Sequence, residues 1–204
     1  RCEMALDSNN NDSLDLFALL TRPRYGPWQI LQDSTVKLPL SIYEPCLHAC
    51  IRGFVKVQRY DLATQVMKNL LSKKSLNKEM RLRLVGTSVS VGKKLVDAAE
   101  RSEDQNIAVG EQNGFAEDEF EFIENLLDFT KSATDQPQVL SWVAMTYRKL
   151  GLPGNSLVSG ISENKRKSFL SEAAVAIEEV LSCADLSQKV RTSWQRELVG
   201  VRSN

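Results

Sequence analysis

Pro45–Leu71, PCLHACIRGFVKVQRYDLATQVMKNLL, decides how the fold is read. Leu47, Cys50, Ile51, Phe54 and Val55 recur at helical spacing and make one apolar stripe. Leu62, Val66 and Leu70 form an i, i+4 row, and Ala63, Met67 and Leu71 form the next, so the second segment has a broad buried face. Only a few residues separate the two stripes, which predicts an antiparallel helical hairpin. Just upstream, Ser41 and Glu44 stand in a capping-box relation. Pro45 then falls in the first turn, where a missing N–H costs little. Gly53 inside the first helix costs about 1 kcal/mol relative to Ala and points to close approach of the partner helix.

Upstream of the hairpin, residues 1–11 are polar and Asn-rich and read as a frayed end. Asp12 or Ser13 starts a short helix carrying Leu14, Leu16, Phe17 and Leu20, which stops before Pro23. Trp28, Ile30 and Leu31 predict a further helical turn or two, and Val36–Leu40 reads as extended.

Downstream, Asn77–Arg101 predicts a long helix with Met80, Leu84, Val85, Val89, Leu95, Val96 and Ala99 inward. Gly86 and Gly92 mark a bend or a close crossing in it, and a strand around Val89–Val91 is the competing reading. Residues 102–116 lack a helical period and read as an acidic flexible loop.

The next helix, Glu117–Thr130, places Phe120, Ile123, Leu126 and Leu127 inward. Asp135 and Gln138 form a box ahead of Val139, Trp142, Val143, Met145, Tyr147 and Leu150, with Gly151 and Pro153 at the end. Ser162 or Ser168 starts a helix with Phe169, Leu170, Ala173, Ala174, Ile177, Val180 and Leu181. Asp185 and Gln188 box a last helix with Leu186, Val190, Trp194 and Leu198 four apart. The fold class is therefore all-α: a bundle or short solenoid of about seven helices stacked as antiparallel hairpins. Residues 12–101 and 117–204 read as two helical halves of one domain.

The run CIRGFVKVQRYDLATQVMKNL resembles one pentatricopeptide-type repeat, or its tetratricopeptide cousin. Gly53 and Phe54 stand where such repeats carry a small and an apolar residue, and Ala63 and Met67 at the small and large packing positions. TYRKLGLP, residues 146–153, resembles the end of a first helix in a tetratricopeptide unit. No second copy stands at a period of about 34–36 residues. In the RNA-reading members of the family, a polar residue near the start of the first helix reads a base. The resemblance puts His48 at that position, where those members carry Asn, Ser or Thr.

Formal charge is zero over the whole chain, which favours neither nucleic acid nor a membrane surface. The charge is uneven, however. Residues 41–101 hold 12 Lys/Arg against 5 Asp/Glu, whereas residues 102–140 hold 1 Lys against 10 Asp/Glu. The acidic run reads as a solvated face or as a docking patch for a basic partner. His48, Arg52 and Lys56, four apart, form a polar stripe on the first hairpin helix, either a wet face or the row presented to a partner.

The single histidine removes most metal and acid–base schemes. Cys46 and Cys50 flank His48, but on a helix the ring points roughly 200° away from them. The four cysteines, Cys2, Cys46, Cys50 and Cys183, read as small thiols in a reducing compartment. No phosphate-binding glycine loop is present, and neither a metal nor a cofactor is expected. The chain begins at Arg1 without a Met and reads as a piece of a longer intracellular protein. The functional expectation is a non-enzymatic protein–protein interaction scaffold that takes a partner helix or peptide in an inter-helix groove. The alternative is an RNA-binding helical-repeat module that uses the basic 41–101 segment.

Overall fold

The computed structural model describes residues 10–23, 26–32, 39–72, 78–106, 117–152 and 161–203. Every regular element among them is a helix: α1 (Asn10–Leu20), α2 (Pro27–Gln32), α3 (Leu40–Lys56), α4 (Tyr60–Ser72), α5 (Lys78–Asn106), α6 (Glu117–Ala133), α7 (Pro137–Gly151), α8 (Glu163–Ser182) and α9 (Gln188–Arg202). The all-α class stands, and the two short helices α1 and α2 join the longer ones. The competing strand at Val89–Val91 is replaced by an uninterrupted α5. The expectations placed on 1–9, 33–38, 107–116 and 153–160, and on Cys2, lie outside the described residues.

The backbone separates into two compact units, Arg1–Thr87 and Ser88–Asn204. The division falls within α5 and not at 102–116, and residues 102–106 continue that helix where a loop was expected.

In the first unit α3 packs against α1, α2 and α4. Its stripe is buried as the spacing requires: Leu47, Cys50, Ile51 and Phe54 are sealed, and Val55 is half-buried. The ring of Trp28 meets that of Phe54 edge-on, with centroids 5.3 Å apart. Gly53 does mark a close approach, but the neighbour is α1 and not α4. A Cβ there would lie 2.5 Å from Leu20 Cδ1. On α4, Ala63, Val66, Met67 and Leu70 are buried, with Leu62 and Leu71 at the margin.

The start of α3 corrects the capping expectation. Pro39 (φ −56°, ψ 143°) is the N-cap, its carbonyl accepts from Tyr43 N–H at 3.0 Å, and no side chain caps the helix. Leu40 is therefore helical, and Ser41 sits too far inside to box with Glu44. Pro45 falls in the second turn, so the carbonyl of Ser41 loses its i+4 donor at an exposed position.

The α3–α4 link is a Schellman motif. Arg59 N–H reaches Phe54 O at 2.8 Å, and Gln58 N–H reaches Val55 O at 3.1 Å. Gln58 adopts φ 57°, the left-handed conformation normally left to Gly. Arg59 then begins α4: its carbonyl accepts from Ala63, its guanidinium forks onto Asp61 (2.8 and 2.7 Å), and it lies 5.1 Å from the Phe17 ring centroid.

In the second unit α7 packs against α6 and α8, and α8 against α9. Phe122 and Phe129 join Ile123, Leu126 and Leu127 in the core, whereas Phe120 is half-buried with its ring edge toward Phe169 at 5.3 Å. On α7 the sealed face is Leu140, Val143, Ala144, Tyr147 and Leu150, leaving Val139, Trp142 and Met145 half-buried.

The Asp135/Gln138 box is not formed, because Pro137 takes the first helical position and Gln136 becomes the N-cap. Gly151 is the last helical residue and not a left-handed cap; a Cβ there would meet Leu170 Cγ at 2.7 Å and Arg166 O at 3.0 Å. Gly92 of α5 is likewise a close crossing, with Trp142 Cη2 at 2.7 Å from a built Cβ, whereas Gly86 has nothing near it.

Ser162 caps α8 by accepting from Lys165 N–H at 3.3 Å. For α9 the cap is Ser187, which accepts from Val190 N–H at 3.4 Å, in place of the expected Asp185/Gln188 box. Gly200 lies within α9. Arg191 donates to Leu181 O (2.6 Å) and Cys183 O (3.1 Å), satisfying carbonyls at the end of α8.

The left-handed Gln58 gives a direct test of the link. Gln58→Gly removes the Cβ penalty at the C′ position and should stabilise the protein by about 0.5–1 kcal/mol, read as a raised Tm. A lowered Tm would mean that the Gln58 side chain contributes more than its backbone costs.

Candidate partner-binding site

The α3 stripe is not one face. Four residues of α-helix turn through about 400°, so an i, i+4 row drifts by about 40° per step around the helix. Starting beside the sealed Leu47–Ile51–Phe54 arc, the row Glu44, His48, Arg52, Lys56 winds away from it. Glu44 and His48 accordingly keep 18% and 25% of their side-chain surface, while Arg52 is exposed and Lys56 is half-buried.

His48 turns toward α5. Its Nδ1 lies 2.6 Å from Thr87 Oγ1, and its Nε2 lies 3.7 Å from Glu44 Oε1. Glu44 accepts from Arg83 at 3.3 Å, and Arg83 also holds Glu79 at 2.5 Å. The imidazole is thus spent on joining α3 to the first part of α5. Of the three stripe residues, Arg52 is the exposed one. The partner hydroxyl of Thr87, 39 residues away, left no signal in the local sequence.

Burial pushes the Cys46 and Cys50 thiols up, Cys50 the further, which disfavours the thiolate at both. Among the described residues, no group of three or more His, Cys, Asp or Glu side chains is arranged to hold a metal. Among them also, no helix is long and apolar enough to cross a membrane.

A second surface lies in the Ser88–Asn204 unit, where α8 and α9 leave a groove of about 420 Å³. Its floor is Leu170 and Val201, both buried, and its walls include half-buried Ala174 and Val175, which is 40% exposed. Lys167, Ser171, Glu178 and Arg202 form the polar rim. Lys167 pairs with Glu163 at 2.7 Å within α8, and Arg202 pairs with Glu178 between α9 and α8.

The groove exists because α8 is already fixed from its other side. Tyr147 of α7 stacks on Phe169, with centroids 6.1 Å apart, and donates its hydroxyl to Asp128 at 2.5 Å. Lys131 and Lys165 tie α6 and α8 through Glu172 and Glu124, each at 2.5 Å. Sequence periodicity alone did not disclose this surface. Its one signal was Val175, an apolar β-branched residue standing outside the inward row.

Compared with known proteins, the chain matches no family model, no curated protein and no solved structure.

His48 is the single imidazole of the chain, so acidification from pH 7.5 to 5.5 titrates it above all other side chains. Burial outweighs the attraction of Glu44 and, with the nearby Arg52, holds its pKa below the ordinary 6.5. The unfolded chain therefore binds more protons, and stability falls as the pH descends through about 6.5. The Tm should drop over that interval in the wild type and stay nearly level in His48→Gln. A parallel drop in both proteins would assign the dependence to other groups.

Proposed function

We propose that this chain is a non-enzymatic interaction module of a larger intracellular protein, and that it docks a polypeptide partner against an inter-helix groove. The observation that carries this reading is the α8–α9 groove, with an apolar floor, an exposed Val175 and charged residues along its rim. That combination suits an amphipathic helix laid apolar side down. Leu170 and Val201 supply depth, while Lys167, Glu178 and Arg202 set orientation. The helical-repeat kinship of the α3–α4 hairpin and its antiparallel stacking belong to the same proposal, since stacked hairpins generate grooves of this type.

The alternative, RNA binding through the basic 41–101 segment, draws on the exposed Arg52 of the first unit. Against it stand the engagement of His48 with Thr87 and the carboxylate of Glu44 beside it. Phosphate contacts would also make such binding fall steeply with salt.

A photoreactive benzophenone side chain in place of Val175 should crosslink a polypeptide at physiological salt, and Ala174→Arg, which fills the groove, should abolish the product. A probe at position 175 that captures nothing would refute the groove reading. Ribonuclease-sensitive capture from position 52, persisting at physiological salt, would move the assignment to RNA.

A further inference from the structure

The groove-lining positions of α8 carry a symmetry that bears on which polypeptide they receive, if the groove docks a polypeptide as proposed. Lys167, Leu170, Ser171, Ala174, Val175 and Glu178 all line the groove. Positions 167, 171, 174 and 178 succeed each other at steps of four, three and four, the spacing of a helix–helix seam. The stripe extends for about 17 Å along the helix. A two-fold axis perpendicular to α8 midway along it would set 167 against 178 and 171 against 174 of the symmetry mate.

Each of these pairings is chemically matched. Lys167 meets a carboxylate and the small Ser171 meets the small Ala174, with the exposed Val175 at one edge of the seam. Isologous interfaces require a patch of this self-complementary kind, in which residue i contacts residue j of the mate and j contacts i. Small side chains at the centre allow close approach of the two helix backbones, and the oppositely charged ends specify the antiparallel direction. Glu163 and Arg202, already paired with Lys167 and Glu178, extend each end into an alternating row of four charges.

We propose that the partner received by this groove is a second copy of the same chain, with α8 packed antiparallel on its symmetry mate. Arg202 and Val201 at the end of α9 then flank the seam on each side. A seam of this length is small among protein interfaces, so the dimer is concentration-dependent.

Sedimentation of the full chain over a concentration series tests the proposal. The wild type should shift from monomer to dimer mass as concentration rises. Lys167→Glu faces the symmetry-related Glu178 with a like charge, and Glu178→Lys does the same to Lys167, so each variant should remain monomeric throughout. Mixed one to one, the two variants should recover the dimer, because both pairs become attractive again. Ala174→Arg, which blocks the seam without altering either charge, should also be monomeric.

A dimer that survives the charge reversals, or a mixture that stays monomeric while the wild type dimerises, would overturn the inference. A monomeric wild type whose position-175 probe still captures a foreign polypeptide would overturn it and leave the docking proposal standing. A monomer with no capture from position 175 would overturn both.

Discussion

The second unit depends on how closely α7 and α8 approach. Gly151 ends α7 with no room for a Cβ, because Leu170 Cγ would lie 2.7 Å away and the Arg166 carbonyl oxygen 3.0 Å. Ala144 of α7 and Ala173 and Ala176 of α8 are also fully sealed, which adds short side chains to this core. Tyr147 and Phe169 stack within that contact, and the Tyr147 hydroxyl is held by Asp128. Burial and this neighbouring carboxylate push the phenol well above its ordinary range, so it remains a neutral donor. With one side of α8 fixed in this way, the Lys167–Glu178 stripe has to face outward, and α9 covers only part of it.

The first unit solves a similar problem around α3. Leu20 fills the space over Gly53, and the Trp28 ring closes over Phe54. Gln58 accepts a left-handed conformation so that Arg59 can finish one helix and begin the next. The polar groups at the edge of this core, Glu44, His48, Arg83 and Thr87, bind one another across α3 and α5. Of the four, only His48 stands in the row that the sequence offered to a partner, and its ring turns toward Thr87 of α5.

Periodicity made the long helices and most of their buried rows legible, as at Leu47–Phe54, Val66–Leu70 and Phe169–Val180. Capping was legible only in part. Ser162 is one of the two serines, with Ser168, that the sequence offered as the start of α8; Ser187 was hidden by the equally good Asp185/Gln188 spacing, and Pro137 overrode Asp135 because its fixed φ suits the first helical position. Along the polar row on α3 exposure varies for a geometric reason, since a row at four-residue spacing winds around the helix. The α8 groove could not be foreseen because it depends on which face α7 claims, and that is settled by Gly151 meeting Leu170 across the fold.

The central claim is that backbone-to-backbone proximity of α7 and α8, and not helix propensity, fixes the second unit and turns the α8 stripe outward. Thermal unfolding of Gly151→Ala tests it most directly, because the two effects have opposite signs. Helix propensity alone would raise stability by up to about 1 kcal/mol. Overpacking against Leu170 and the immobile Arg166 carbonyl should cost about 1–3 kcal/mol, so the account predicts a lowered Tm. A Tm raised above that of the wild type would contradict it.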